Sequence, residues 1–245
     1  MNLTVKNKRE FISNFLGSIS TLNDTCVLKI ENDVLVTTLM SSDTTLALYA
    51  ETPVKCDGSK NLNIPDLKKF MRVLDSVNIA DDGDINFNIT NNSIKFSNET
   101  HRFTYHLLED GIVKSPPINM KRINEIVFDT GFQISEIDLS NLLKGGSFAT
   151  ETNKLYIFCE GNKVHAELGD RSRHNSDNFQ CILSKEYTGN ALSKPIPINF
   201  ETFRLINFNK CKEFTVNVNS KLGVLKISLT KGNTKLIYIV SALIN

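Results

Sequence analysis

The second half of this chain repeats the plan of its first half, and few folds accommodate that. Runs of β-branched and apolar residues predict strands over residues 26–30, 34–40 and 44–50, with turn residues such as Asn32-Asp33 and Ser41-Ser42-Asp43 between them. Helical periodicity marks four segments. In the first, Phe11, Ile12, Phe15, Leu16 and Ile19 share one face, with Arg9, Ser13 and Asn14 opposite. The second opens at Pro65, a favoured first helical position, and buries Leu67, Phe70, Met71 and Leu74. The third opens on Ser135 and Asp138 at capping-box-like spacing and runs through Leu139, Leu142 and Leu143. The fourth follows Asn199, a good N-cap, with Phe200, Phe203 and Ile206 inward.

Each half therefore reads strand, helix, strands, helix and three closing strands. The closing runs also match in register: residues 85–89 answer 214–218, 93–97 answer 224–228, and 102–105 answer 235–238. Alternating strands look alike by chance, but three pairs in order behind matching helices point to a duplicated domain. The length of 245 residues suits two cores better than one. The expected fold class is α+β, with two similar domains that each pack two helices on antiparallel sheets. The expected domains are 1–110 and 125–245, joined by an exposed connector at 111–124 that holds Gly111, Pro116 and Pro117 and has little periodicity.

Function classes fall away in turn. The chain shows neither an apolar run of membrane-spanning length nor a secretory signal, so a cytoplasmic setting is expected and no membrane partner. Five scattered cysteines fit reduced thiols, with Cys26, Cys159 and Cys181 as small core residues. There is no phosphate-cradling GxxxxGK[ST] loop and no GxSxG elbow, and Gly145-Gly146 reads as the end of a helix. Asp81, Asp82 and Asp84 flank a Gly in a turn and lack the other ligands of a calcium loop. The four histidines stand in no triad or metal pattern. No catalytic residue, metal ligand or cofactor is expected, and the chain does not read as an enzyme.

Charge is informative by position. A net charge of +1 argues against a protein that clings to nucleic acid by attraction alone. The basic residues nevertheless gather on and beside the helices: Lys6, Lys8 and Arg9; Lys68, Lys69 and Arg72; Lys144; Arg204, Lys210 and Lys212. Residues 5–17, 65–76, 135–148 and 200–212 carry +2, +1, −1 and +2, which leaves the remaining sequence at −3. Lys and Arg are good helix formers on any solvated face, but a bias repeated across the halves points to a polyanion. The third segment does not share it.

In this duplicated plan, length and Pro-containing connector the chain resembles the DNA sliding clamps. These include the proliferating cell nuclear antigen fold and, more closely, the clamps of tailed bacteriophages. The phage-like matches are the Ser135-Glu136-Ile137 opening with Asp138 to Leu143 behind it, the Asn162-Lys163-Val164 hairpin, and Pro195-Ile196-Pro197-Ile198-Asn199-Phe200. The connector is longer than in phage clamps of this type.

The resemblance implies a homotrimeric ring around double-stranded DNA, bound without sequence preference and with helices lining the hole. A near-neutral chain fits retention by topology. By the same resemblance, Lys144 and Arg204 sit at basic positions of the family. Arg102, Phe103, Thr104 and Tyr105 would pair with Phe179, Gln180, Cys181 and Ile182 of a neighbouring copy. A DNA polymerase and an ATP-driven clamp loader would dock peptide tails near Val113, Pro116, Pro117, Ile118 and Met120, with Leu243. A viral clamp would work in the host cytoplasm. Two other readings stand beside this one: a monomeric or dimeric processivity factor that binds DNA electrostatically, and a structural or interaction protein of duplicated β-rich domains with no DNA role.

Overall fold

Alternation of buried and exposed side chains makes strands the main regular structure of the chain. The computed structural model describes residues 1–147, 152–173, 175–209 and 211–243. The first half contains β1 (Asn2–Val5), α1 (residues 8–20), β2 (Cys26–Glu31), β3 (Val34–Met40), β4 (Leu46–Pro53), β5 (Lys55–Cys56), β6 (Lys60–Ile64), α2 (Leu67–Asp75), β7 (Ile85–Ile89), β8 (Ser93–Ser97) and β9 (Arg102–His106). A short helix, α3 (Met120–Glu125), follows. The second half then gives β10 (Thr130–Ser135), α4 (Glu136–Gly145), β11 (Lys154–Glu160), β12 (Lys163–Leu168), β13 (Phe179–Ser184), β14 (Thr188–Gly189), β15 (Ile196–Asn199), α5 (Phe200–Arg204), β16 (Glu213–Asn219), β17 (Val224–Lys231) and β18 (Thr234–Ser241).

The repeat extends to sheet topology. Strand order β5-β1-β7-β8-β9 in the first half answers β14-β10-β16-β17-β18 in the second, and β4-β3-β2-β6 answers β13-β12-β11-β15. Replacing each element by its counterpart turns one half into the other.

Two compact units result. The first takes Met1–Met40, Leu48–Ile118 and Thr230–Leu236; the second takes Ser41–Ala47, Asn119–Leu229 and the chain from Ile237 onward. Each unit thus includes a short piece from the other half. In the first, Thr234 Oγ1 lies 3.4 Å from Thr52 Oγ1, and Lys235 Nζ lies 3.2 Å from Glu51 Oε1. In the second, Ser241 N donates to Thr45 O at 2.8 Å.

The first unit's core gathers Phe15, Leu16 and Ile19 of α1 and Leu67, Phe70 and Leu74 of α2 over strand residues such as Leu28, Ile30 and Leu62. Tyr105 packs on Phe70, with ring centroids 4.9 Å apart. Asn14, expected on the polar face of α1, is buried and donates from Nδ2 to Lys231 O at 3.2 Å. The cause is π-helical geometry over Phe11–Leu16, which widens the turn and rotates Asn14 inward. Pro65 is not the first helical residue. Asp66 is the N-cap of α2, its carboxylate accepting from Lys69 N at 2.7 Å, and Met71 is half-buried rather than buried.

In the second unit an aromatic row runs from Phe203 to Phe208 (5.4 Å) and on to Phe214 (4.6 Å). Ser135 caps α4 by accepting from Asp138 N, and Asn199 caps α5 by accepting from Thr202 N, both at 3.2 Å. Leu143, expected inside, is 38% exposed, because α4 turns Leu139, Leu142 and Gly145 toward the core instead. Helix α4 ends at Gly145-Gly146, where no side chain fits and Gly146 keeps a right-handed conformation. A Cβ on Gly145 would lie 2.1 Å from the Phe179 ring, and one on Gly146 2.7 Å from the Phe200 ring. The Ser41–Ala47 segment is pinned to the start of α5 through Asp43, which accepts from Thr202 Oγ1 at 2.8 Å and Thr45 Oγ1 at 2.7 Å. Partial burial opposes the Asp43 charge, but the hydroxyls of Ser41, Thr45 and Thr202 outweigh it and hold the carboxyl down at about 2.

Residues 120–125 form α3, which takes up the end of the expected connector and the first residue of the expected second domain. Asn119 caps it by accepting from Lys121 N and Arg122 N, so a local cap makes a helical turn there without an apolar period. Cys26 is buried, while Cys159 and Cys181 are half-buried. Burial raises all three thiols; with help from the Asp138 charge it brings Cys181 to about 11, so these cysteines stay protonated. No helix among the described residues is long and apolar enough to cross a membrane.

Candidate nucleic-acid interface

The helix cations separate into buried, paired and free groups. Lys8 leaves the exposed set. Its side chain is 7% exposed, and Nζ donates to Val77 O at 3.2 Å and Ile79 O at 3.0 Å, with Asp81 at 3.8 Å. An ammonium this deep is held by carbonyls beyond the end of α2, and it clasps that end to the start of α1. Arg9 is exposed, 3.8 Å from Asp81, and Lys68 is exposed but sits 2.9 Å from Asp24. Lys6, Lys69 and Arg72 are exposed and hold no ion pair among the described residues. In the second unit Lys144 and Lys212 are exposed, and Arg204 lies 3.1 Å from Glu201 and over the Phe200 ring at 5.9 Å. Lys210 lies outside the described residues.

The strands proposed for self-contact are both sheet edges: β9 ends one sheet order and β13 another. The β8–β9 ladder is fixed by Leu107 N to Asn92 O at 2.8 Å and Asn98 N to His101 O at 2.9 Å. Antiparallel alternation then gives the N–H and C=O groups of Phe103 and Tyr105 to β8 and turns those of Arg102, Thr104 and His106 off the free edge. The Tyr105 side chain is not an edge feature. It is buried, donating to Asp66 O at 2.7 Å and accepting from Asp66 N at 3.2 Å. On β13, Phe179 and Cys181 are half-buried, while Gln180 and Ile182 are exposed.

The six residues expected to form a peptide pocket divide. Val113, Pro116 and Ile118 (half-buried) and Pro117 (exposed) belong to the first unit, whereas Met120 and Leu243 (both half-buried) belong to the second. The second unit gathers a different apolar set around the β16–β17 turn. Asn219 donates from Nδ2 to Val127 O at 2.8 Å and accepts from Leu222 N at 2.7 Å. Ala242 N donates to Gly223 O at 2.7 Å, and the next residue is Leu243. Val127 is 79% exposed and Leu222 63%, an unusual openness for two large apolar residues whose backbones one Asn219 side chain ties together. Sequence reasoning missed them, although an apolar residue at the tip of a tight Lys221-Leu222-Gly223 turn was a readable signal.

Among the described residues no cluster of His, Cys, Asp and Glu is arranged to hold a metal ion. Two copies of a strand-helix-strand plan, helices on antiparallel sheets and free edges at β9 and β13 together define the DNA clamp fold. No family model and no curated protein sequence matches the chain. Solved structures share its fold at 11–14% identity. A structure of the C-terminal region of FEN-1 bound to A. fulgidus PCNA matches at TM-score 0.76 and 11% identity, over 100% of this chain and 98% of that one. PCNA from Entamoeba histolytica matches at 0.74 and 12%, over 99% and 98%. The beta subunit of DNA polymerase III from Thermotoga maritima matches at 0.76 and 14%, over 100% of this chain but 66% of that longer one.

Proposed function

We propose that this protein is a sliding clamp: a homotrimeric ring that encircles duplex DNA, tethers a DNA polymerase and is loaded by an ATP-driven clamp loader. One observation carries this reading. β4 and β18 lie side by side within the chain, through Thr52–Thr234 and Thr45–Ser241, while their repeat counterparts β13 and β9 are free edges. The repeat implies that β9 of one copy pairs with β13 of the next as β18 pairs with β4. That contact is head-to-tail, so it propagates until a ring closes, and closure removes the exposed edges.

Exposed helix cations on a chain of net charge +1 suit weak, screened contact with phosphates. Retention then rests on topology, and the protein acts as a tether without chemistry of its own. Partner tails dock on the exposed Val127–Leu222 patch beside Leu243, with the Val113 to Met120 set as the alternative; the A. fulgidus PCNA of similar fold binds the C-terminal region of FEN-1. The phage-like motifs around Ser135 and Asn199 favour a viral clamp working in a host cytoplasm.

Solution mass and topology test the ring. A mass of three chains is expected, against 27.5 kDa for one. Once loaded, the protein should stay on circular DNA and run off linear ends. A monomer across micromolar concentrations, or equal retention on both DNAs, would instead support the electrostatic factor. Leu222→Asp should leave the mass unchanged and weaken polymerase stimulation by about tenfold or more, the scale of an anchor residue lost from an interface. Unchanged stimulation would remove this patch from the tail-binding site.

A further inference from the structure

The repeat allows the helix surfaces of the two units to be compared residue by residue, anchored on their caps. α2 and α5 start from Asp66 and Asn199, each accepting the N–H three residues on. α1 and α4 start from Asn7 and Ser135 in the same way, through Glu10 N and Asp138 N. In this register Leu67 and Phe70 answer Phe200 and Phe203, all four buried, so the core faces agree.

The outer faces do not. Lys68 answers Glu201, Lys69 answers Thr202, Arg72 answers Leu205, and Arg9 answers Ile137. Ile137 is 73% exposed and Leu205 37%, so apolar side chains stand in the open where the first unit shows arginines. No large apolar side chain is exposed on α1 or α2. Among the second unit's described cations, Arg204 on α5 is paired with Glu201, which leaves Lys144 as the exposed, unpaired cation on α4 and α5, with Lys212 beyond α5.

We infer that the first unit makes most of the phosphate contacts, through Lys69 and Arg72 with Lys6, and that the helix faces of the second unit, where Ile137 and Leu205 stand, contribute little. This rests on the ring reading above. A trimer would then present three strongly cationic arcs alternating with three weaker ones. Fewer phosphates are engaged at any moment than six equal units would engage, so the ring slides with little electrostatic drag. Counterion release requires cations not already neutralised by the protein, and among the helix residues these concentrate on α2.

Two double variants of the full chain decide it, each checked for unchanged mass and circular dichroism. Binding to a short linear duplex is measured at low salt, and retention on circular DNA separately. Lys69→Glu with Arg72→Glu should lose about tenfold or more in duplex affinity and flatten its salt dependence; Lys144→Glu with Lys212→Glu should change affinity by less than about twofold. Equal losses, or no loss from either pair, overturn the inference. If the wild-type protein does not stay on circular DNA, the ring reading has failed instead. If it stays and both pairs act alike, the ring stands and the division of labour falls.

Discussion

Thr104→Pro is expected to abolish self-assembly while leaving the first unit folded. Thr104 turns its N–H off the free side of β9, because the β8 ladder takes Phe103 and Tyr105. Proline there removes one outward donor and places its ring where a neighbouring strand would lie, but breaks no hydrogen bond within the chain. Edge positions of this kind tolerate proline. At each junction the partner's carbonyl would go unpaired, at a cost of about 1–3 kcal/mol. A closed ring needs every junction at once, so the penalty multiplies around it. Phe103→Pro is the control: one residue earlier, it removes a donor from the β8 ladder and should destabilise the unit itself. Light scattering reads the mass, and thermal unfolding reads the fold. A Thr104→Pro protein that kept its oligomeric mass and melted like wild type would show that β9 is not the closing edge.

The clarity of the β9 ladder reflects what the sequence displays well. Strands with one buried face announce themselves by alternation. Ile85, Phe87 and Ile89 are buried, as are their counterparts Phe214, Val216 and Val218; Ile94 and Phe96 match Leu225 and Ile227 in the same way. Caps are equally legible where side chain and amide are three residues apart, as at Ser135 and Asn199. What depends on distant partners was hidden. Lys8 looks like any helix-start cation until the carbonyls of Val77 and Ile79, some seventy residues on, enclose its ammonium. Asn14 follows a polar pattern that a π turn redirects inward. The candidate site divides along the same line. The exposed cations of α2 were readable because they oppose an apolar stripe. The Val127–Leu222 patch was not, since Asn219 assembles it from segments far apart in sequence.

Phe203→Ala should be the most damaging single truncation in the second unit, costing about 3–5 kcal/mol. Phe203 is 1% exposed and begins the row that continues through Phe208 and Phe214. Its helix, Phe200–Arg204, has five residues, far too few to persist without packing. The ring is therefore both core filler and anchor, and its loss should unwind the helix as well as open a cavity. The damage then spreads. Thr202 and Asn199 hold Asp43, and Asp43 holds the Ser41–Ala47 segment, so that segment should also come free. Phe70→Ala in the nine-residue α2 opens a comparable cavity, but Asp66 and the longer helix should limit the loss to the cavity itself. Urea unfolding with hydrogen exchange separates the cases: Phe203→Ala should lose amide protection over both residues 200–206 and 41–47, and Phe70→Ala only around its own site. A cost below about 1.5 kcal/mol, the range of volume-conserving core swaps, would mean that the aromatic row does not hold the second unit together.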